Sequence, residues 1–169
     1  MQKEIEDKIV QLIEQQQSLF LSTLSKETSM EEIVPYSSYA PFVAVPEEQA
    51  FYVFLSDLSE HSHFLRANPK ASILIIADEA NTEQIFARVR VQYHVLSQLI
   101  ESDVERQSAI EIMQQRFGEI IDVLRSLSDF RVYKFVPQSG RYVEGFGRAF
   151  NIGKGFGGET SPVMQDKKT

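Results

Sequence analysis

The sequence contains no cysteine, so it forms no disulfide and offers neither a thiolate nucleophile nor a cysteine-bound metal. A cytosolic location is the default expectation for such a chain. No apolar run approaches the roughly 20 residues that a membrane-spanning helix needs. The first residues, MQKEIEDKIV, also lack the basic start and apolar stretch of a signal peptide. These absences predict a cytoplasmic protein that does not cross a membrane.

Basic residues are outnumbered by acidic ones. The 17 lysines and arginines stand against 24 aspartates and glutamates, which gives a formal net charge of -7 at pH 7. A general nucleic-acid-binding protein carries a basic face, and an anionic membrane surface repels a chain of this charge. We therefore expect neither as a partner. The length of 169 residues and the 43% hydrophobic share are those of one ordinary globular domain.

Histidine is also scarce, with three residues in the chain. His61 and His63 are two positions apart, so on a helix they do not share a face and do not form a metal pair. His94 falls in a predicted strand, where a hydrogen-bonded sheet residue is the simpler interpretation. The sequence therefore predicts no metal site.

The chain contains short segments with clear periodicity. Apolar residues at helical spacing, from Ile5 to Ile13, predict an amphipathic helix over 2–17. A second helical region begins at Ser102 or Asp103 and runs to about Leu127. Alternation and β-branched runs predict strands at 18–24, 33–45, 51–56, 71–77, 84–97, 130–136 and 141–145, with one further short strand at 148–152.

Turn signals complete the predicted domain organisation. The segment 137–140, Pro-Gln-Ser-Gly, predicts a turn between the strands on either side of it. From residue 153 the chain is glycine-rich and then polar, which predicts a flexible tail over 153–169. The N-terminal helix then covers 1–17 and the folded domain covers 18–152.

Strands joined by turns and short loops indicate antiparallel pairing, with one face of the sheet exposed to water. Six or seven such strands with helices around them predict a mainly β fold, a small antiparallel barrel flanked by helices. Long strands with one uncovered face also favour a homodimer.

The stretch over 51–77 predicts a strand, a short helix and a second strand. Ser56 or Asp57 is the expected helix cap, and Leu58, His61 and Leu65 fall at spacings that share one helical face. The start of a helix at the end of a buried strand favours a phosphate or a carboxylate. The stretch is therefore a candidate cofactor site, although these residues alone do not identify the cofactor.

The segment 84–97 alternates with period two, which predicts a strand with Arg88, Arg90, Gln92 and His94 on one face. Two interpretations of the arginines are open. They are solvated on the wet side of the sheet, or they bind the oxygens of a phosphate or propionate, since guanidinium does so bidentately.

Six segments together carry a family resemblance. They are SYAPFV at 38–43, LSEHSHFLRANPKASILI at 58–75, FARVRV at 86–91, RFGEIID at 116–122, SDF at 128–130 and EGFGRAF at 144–150. In this order and spacing, the chain resembles the pyridoxamine 5′-phosphate oxidase-like split barrels, and among them the haem-utilisation proteins of the HugZ/HutZ type. The resemblance runs from about Ser18 to Ile152. It implies a homodimer of six- to seven-stranded antiparallel split β-barrels with two ligand sites at the subunit interface.

The flavin-binding relatives imply one possible ligand. In them the FMN phosphate is held by basic and hydroxyl side chains near the strand–helix–strand unit. The residues of that chemistry here are Ser38, Ser56, Arg66 and Arg88. On this reading the protein is an FMN-dependent oxidoreductase.

The haem branch implies another ligand. There an aspartate of the Asp-Phe pair helps to hold the haem ligand of the partner subunit, and Asp129 matches it. An arginine near the haem matches Arg90, and a histidine of the short helix corresponds to His61. The resemblance implies haem binding and oxygen-dependent haem degradation, with Asp129 and Arg90 as the residues that take part.

The chain departs from the haem branch at the axial ligand. In that branch the haem-ligating histidine lies in the C-terminal tail, whereas no histidine follows His94 in this sequence. A five-coordinate ferric haem needs a protein ligand, which here would be His61, His63, His94 or a tyrosine such as Tyr142; otherwise haem binds only by contacts to its faces and propionates. Haem is therefore the leading expected ligand and FMN the alternative. A haem or flavin carrier without turnover is a third hypothesis.

Overall fold

A computed structural model describes residues 1–25 and 33–163. The polar composition of residues 25–32 predicts a turn or loop, and this segment lies mostly outside the described residues. The described chain forms four α-helices and eight β-strands. They are α1 (Gln2–Gln15), β1 (Ser18–Leu24), β2 (Pro35–Val45), β3 (Ala50–Ser56), α2 (Glu60–Ala67), β4 (Lys70–Ile76), β5 (Arg90–Leu99), α3 (Asp103–Phe117), α4 (Ile120–Ser126), β6 (Phe130–Gly145), β7 (Arg148–Ile152) and β8 (Thr160–Pro162).

Six of these strands close into an antiparallel barrel. The order is β3-β2-β1-β4-β5-β6, and β6 pairs back onto β3, from Phe51 opposite Phe135 to Ser56 opposite Phe130. β7 and β8 extend the sheet beyond β6. The predicted mainly β fold with a closed antiparallel barrel is confirmed. The structure has eight strands in its described part, against the six or seven expected.

The barrel core follows the alternation of the strands, and α1 packs against it. The apolar stripe of α1 is fully buried in the same hydrophobic cluster as the inward residues of β1, β3, β4 and β5. Arg116, in the last turn of α3, donates to the carbonyl oxygens of Gln16 at 2.5 Å and Glu14 at 3.3 Å. No basic residue lies in the last turn of α1 itself. Arg116 therefore supplies the cation that stabilises this helix end.

The predicted turn at 137–140 is wrong, because β6 runs through it as one continuous strand of 16 residues. Its pairing with β5 shifts register between His94 and Val95, where Val95 lies opposite Pro137. The residues that favour a turn also favour a β-bulge, because a bulge tolerates a proline, which has no N–H to donate. Gly140 is required there by close approach, since a Cβ on it would lie 2.6 Å from the carbonyl oxygen of Gln92.

The predicted start of the strand at Gln84 is also wrong. Residues Ile85–Ala87 form a 3₁₀ turn, and the Gln84 side chain accepts a hydrogen bond from the Phe86 amide at 3.2 Å. β4 ends at Ile76, which pairs with Arg90, and one further backbone bond runs from the Ala77 amide to the Val89 carbonyl oxygen at 2.9 Å. The residues before Val89 have no partner on β4. A side-chain cap then competes successfully with the sheet.

The tail prediction does not hold for residues 153–163. Phe156 is 3% exposed, and its ring lies 4.4 Å from that of Phe51 in the barrel core. The Tyr93 hydroxyl donates to the Phe156 carbonyl oxygen. β8 then pairs with β7, from Phe150 opposite Pro162 to Ile152 opposite Thr160. The glycines allow the chain to fold back here, which polar composition alone does not reveal; residues 164–169 lie outside the described part.

Candidate functional site

The junction of β3 and α2 holds several of the expected site residues. The Ser56 hydroxyl donates to Asp129 Oδ2 at 2.5 Å and accepts from the Leu58 amide at 3.1 Å. The Ser62 hydroxyl donates to the Ser56 carbonyl oxygen at 2.7 Å. Ser56 and Asp129, 73 positions apart in sequence, are therefore direct partners.

The helix cap and the buried helical face differ from the prediction. Ser59, rather than Ser56 or Asp57, is the cap of α2. Leu58 precedes the helix and is 84% exposed, and Ser62 and Leu65 form the buried face. Ser56 does not cap α2 because its hydroxyl oxygen accepts from the amide of Leu58, which precedes the helix.

The anion-binding site expected at the start of α2 is occupied by carboxylates of the protein itself. Asp57 forms ion pairs with Arg66 and, at 3.2 Å, with Arg131 Nε. Glu60 lies in the first turn of α2, and Asp129 lies beside Ser56. Negative side chains at a helix N-terminus repel a phosphate. They also already interact with the positive end of the helix dipole, which would otherwise favour the phosphate. Arg66 is thus an ion-pair partner of Asp57, and this seat does not fit the FMN phosphate.

His61 of α2 is half-buried and contacts β2. Its Nδ1 lies 2.9 Å from the Ser38 hydroxyl oxygen, so two residues expected at the site are in contact. Burial lowers the pKa of His61 from its ordinary value of 6.5. The neutral imidazole is therefore the favoured form at this position.

The two arginines expected on one strand face have separate environments. Arg88 precedes β5 and donates to the Ala77 carbonyl oxygen at 2.5 Å and to Glu79 Oε1 at 3.0 Å. Its guanidinium is thus committed to a loop contact. Arg90 is the first residue of β5 and donates to the Arg88 carbonyl oxygen at 2.9 Å. Of the two, Arg90 remains suited to a ligand.

A second arginine lies beside Arg90 that the sequence did not single out. Arg141 of β6 pairs with Gln92, and Arg90 pairs with Val143 two residues further along β6, so the arginines are diagonal neighbours on the outer sheet surface. Arg141 makes a single contact of 3.4 Å to Asn151 Oδ1. Within residues 1–25 and 33–163, neither Arg90 nor Arg141 has a carboxylate partner. The turn signal before Arg141 concealed that β6 pairs with β5 throughout this region.

We name the outer sheet surface formed by Arg90, Gln92, His94 and Arg141 the β5 face. Two adjoining depressions of about 450 and about 410 Å³ lie on it, and both are lined by Gln92 and Arg141. One also contains the exposed His94 and the other the apolar side chain of Leu74. Exposed Phe20 of β1 continues the surface, since it pairs with Leu74. The face thus combines two positive charges, an imidazole and apolar contacts.

The expected site residues do not form one cluster within a single chain. Arg90 pairs with Val143 near the end of β6, whereas Asp129 immediately precedes the first residue of that strand. A strand rises about 3.3 Å per residue, so these residues lie toward opposite ends of a long element. One ligand does not reach both within one subunit.

Two further classes of site were searched for in the described residues. They include no group of three or more histidine, cysteine or acidic side chains placed to hold a metal ion. Over the same ranges, no helix has the length and apolar character needed to span a bilayer.

The closed antiparallel barrel, with strands β7 and β8 added and a cationic outer face, defines the chain as a split-barrel protein. Residues 5–144 match the family model described as pyridoxamine 5′-phosphate oxidase. The chain belongs to this family, and the HugZ/HutZ-type resemblance is confirmed by its relatives.

Three comparisons specify the branch. The chain is 34% identical over 153 residues to the heme oxygenase HutZ of Vibrio cholerae, which covers 90% of this chain and 83% of that protein. A crystal structure of HutZ from the same organism, described as a heme storage protein, matches with a TM-score of 0.70 over 79% of this chain and 89% of that one at 34% identity. The crystal structure of Campylobacter jejuni ChuZ matches with a TM-score of 0.83 at 26% identity, over 99% of this chain and 66% of that one.

Proposed function

We propose that this protein binds haem at the interface of a homodimer and serves haem-iron utilisation in the cytoplasm. The observation that carries the proposal is the pair Arg90 and Arg141, which have no carboxylate partner in the described chain although the protein is acidic overall. Two such guanidinium groups suit the two propionates of haem. The naming of HutZ as a heme oxygenase and a heme storage protein supports the same ligand.

The homodimer is supported by the outer surface of the barrel. Phe20 is 56% exposed and Tyr39 is 63% exposed on adjacent strands β1 and β2, where they pair. Leu74 continues this apolar surface onto β4 opposite Phe20. An exposed apolar patch beside polar and charged residues is typical of a protein interface. A second copy of the chain covers it and excludes water from the adjoining β5 face.

The dimer also explains the separation of the site residues. Because Arg90 and Asp129 lie toward opposite ends of β6, one site takes Arg90 and Arg141 from one subunit and Asp129 with Ser56 from its partner. Ser56 holds Asp129 Oδ2 by the hydrogen bond described above, so this carboxylate would be fixed where it could orient a side chain that binds the haem iron. His61 and Ser38 support this region as a hydrogen-bonded pair.

The side chains that could bind the haem iron differ in accessibility. Tyr142 is 2% exposed, whereas His61 is half-buried and its hydrogen bond with Ser38 through Nδ1 leaves Nε2 for a metal. His63 and His94 are both exposed, and His94 lies on the β5 face beside Gln92 and Arg141. His94 would therefore be the imidazole for a haem held by the two arginines, and this donor set fits haem.

The proposed catalytic version is opening of the haem ring by O2, with electrons from an external reductant such as the ascorbate used below; bound haem would supply the oxygen chemistry. In it, Arg90 and Arg141 would hold propionate oxygens and so orient the haem. Asp129 would accept a hydrogen bond from the iron-binding side chain of the other subunit and hold it in place. The non-catalytic version is a haem carrier with the same contacts.

FMN is the alternative ligand, and it is disfavoured by the carboxylates around the start of α2. Asp57 and Asp129 occupy the region where Ser56 and Arg66 were expected to meet a phosphate. Arg88 is likewise bound to Glu79. These contacts leave no basic site for the FMN phosphate at the start of α2 or on Arg88.

Visible absorption spectra distinguish the candidate ligands. Purified protein titrated with haemin should give a Soret band that saturates at one haem per subunit, and titration with FMN should give no bound flavin. Stoichiometric FMN binding without haem binding would overturn the proposal. Ascorbate added under oxygen then separates the two versions, since loss of the Soret band indicates degradation and its persistence indicates a carrier.

A further inference from the structure

A groove between the helical hairpin and the barrel lies apart from the β5 face. Two adjoining cavities of about 350 and about 230 Å³ share Phe54 of β3 and Phe130 of β6 as their common wall. We name them together the α3–α4 groove. Small-molecule sites are typically concave spaces of a few hundred cubic ångströms with apolar walls and a few polar groups.

The floor and one end of this groove are apolar. The rings of Phe54 and Phe130 pack edge to face with their centroids 5.2 Å apart. Met113 and Phe117 of α3 and Leu124 of α4 line the smaller cavity. This end offers dispersion contacts and desolvation to the hydrocarbon part of a ligand.

The other end of the groove is cationic. Arg106 of α3, Arg125 of α4 and Arg131 of β6 line the larger cavity, so three separate elements place a guanidinium there. Arg106 pairs with the exposed Asp103, and Arg125 lies 4.0 Å from the exposed Asp122. Exposed ion pairs of this kind are weak, so both arginines can exchange these partners for ligand oxygens.

The positive charge of the third arginine, Arg131, is only partly neutralised. Asp57 is shared between Arg131 and Arg66, so one carboxylate neutralises only one of two guanidinium groups. The larger cavity therefore retains positive charge after its ion pairs are counted. An anionic group at this end, joined to an apolar body at the other, complements the whole groove.

We propose that the α3–α4 groove binds a small amphipathic anion, a carboxylate or sulfonate with an aromatic or acyl body. The body lies on Phe54 and Phe130, and the anionic head meets Arg106, Arg125 and Arg131. Ser128 and Phe130, on either side of Asp129, also line the larger cavity. The proposal does not rest on haem binding, because Arg106 and Arg125 pair with Asp103 and Asp122 and not with Asp129.

The test uses a matched pair of fluorescent probes on the full-length, haem-free protein. Anilinonaphthalene sulfonate carries the anionic head, and N-phenylnaphthylamine is a neutral analogue of its apolar body. The Arg106→Gln/Arg125→Gln variant should bind the sulfonate roughly tenfold more weakly and the neutral probe with unchanged affinity. Decanoate should displace the sulfonate from the wild-type protein, and decanol should do so less effectively.

The control variant is Arg148→Gln, which removes an exposed guanidinium outside both the groove and the β5 face and should leave sulfonate affinity unchanged. A folded Arg106→Gln/Arg125→Gln variant with wild-type sulfonate affinity would overturn the proposal. So would an equal loss in Arg148→Gln, or wild-type protein that shows no saturable binding of the sulfonate. Circular dichroism confirms the fold of each variant. Haem titration of the same variants keeps failure of this proposal separate from failure of the haem proposal.

Discussion

Ser56 at the end of β3 donates its hydroxyl proton to Asp129, which precedes β6, across 2.5 Å. The Asp57 amide also donates to the Asp129 carbonyl oxygen at 2.7 Å. Asp129 is thus fixed to the neighbouring strand by its side chain and its backbone. From its sequence context alone, Asp129 could be no more than the end of a helix. In the structure, the pairing of β3 with β6 holds it in place.

Ser56→Ala should lower the free energy of unfolding by about 1–2 kcal/mol, because it leaves the half-buried Asp129 without its hydroxyl donor. Urea denaturation measures the change. The matched control is Ser59→Ala, because the Ser59 side chain makes no capping hydrogen bond in α2. Equal losses in the two variants would show that the contact with Asp129 contributes nothing specific.

His61 should make stability depend on pH. Its pKa is lowered by burial from 6.5, so the unfolded chain binds a proton at pH values where the folded chain does not. The stabilisation is therefore complete above about pH 6.5 and is lost as the pH falls through the folded-state pKa. His61→Gln should flatten this part of the pH profile of urea unfolding. The exposed His63 provides the control, and a His63→Gln variant that flattens the profile equally would contradict this assignment.

Lys134 lies between two carboxylates and the Tyr52 ring. Its Nζ donates to Glu48 at 2.6 Å and Glu105 at 3.2 Å. The Tyr52 hydroxyl, which has one proton, lies 2.6 Å from Glu48 and 3.0 Å from Glu105 and donates to the nearer Glu48. The hydrogen bond from Lys134, followed by that from Tyr52, lowers the pKa of Glu48 below 4.5. This contribution to stability is present above pH 4.5 and is lost as the pH falls through the lowered pKa.

Lys134→Met should destabilise the fold by about 1–3 kcal/mol, since it leaves Glu48 and Glu105 without their shared cation. It should also raise the pKa of Glu48 and so reduce the loss of stability in acid. Urea unfolding at neutral and acidic pH measures both effects. Lys70→Met, at an exposed position of β4, is the control. An unchanged acid dependence in Lys134→Met would contradict the assignment.

Phe156 should be essential for stability although it lies in a glycine-rich segment. Its side chain packs against Phe51 in the core, so Phe156→Ala should cost about 3–5 kcal/mol. The control is Phe146→Ala, because Phe146 is 71% exposed in the turn between β6 and β7. Truncation after Ile152 should likewise destabilise the protein. A thermal unfolding midpoint unchanged by either change to the 153–163 segment would restore its interpretation as a tail.

Sequence periodicity correctly predicted the helices and strands that their own residues are sufficient to specify. The stripe from Ile5 to Ile13 identified α1, and alternation identified β1 with its observed bounds. Periodicity failed where the neighbouring strand determines whether a segment joins the sheet. Pro137 continues a strand because β5 shifts its register opposite it, and Ile85 leaves the sheet because β4 has already ended.

The candidate site was recovered only in part for the same reason. The contacts of Ser56 with Asp129 and of Ser38 with His61 join residues that the sequence had named separately. Arg141 was missed because only the pairing of β6 with β5 brings it beside Arg90. The ion pairs of Asp57 were not visible in the pattern either, and they exclude the predicted phosphate seat.

Haem binding by mixed dimers tests the shared interface site most directly. Arg90→Ala and Asp129→Ala chains are co-expressed with different tags, and the heterodimer is purified through both tags. Each homodimer should bind haem weakly, whereas the heterodimer retains one site with both residues intact and should bind one haem per dimer with wild-type affinity. A heterodimer that binds haem no better than either homodimer would contradict a site built from Arg90 of one subunit and Asp129 of its partner.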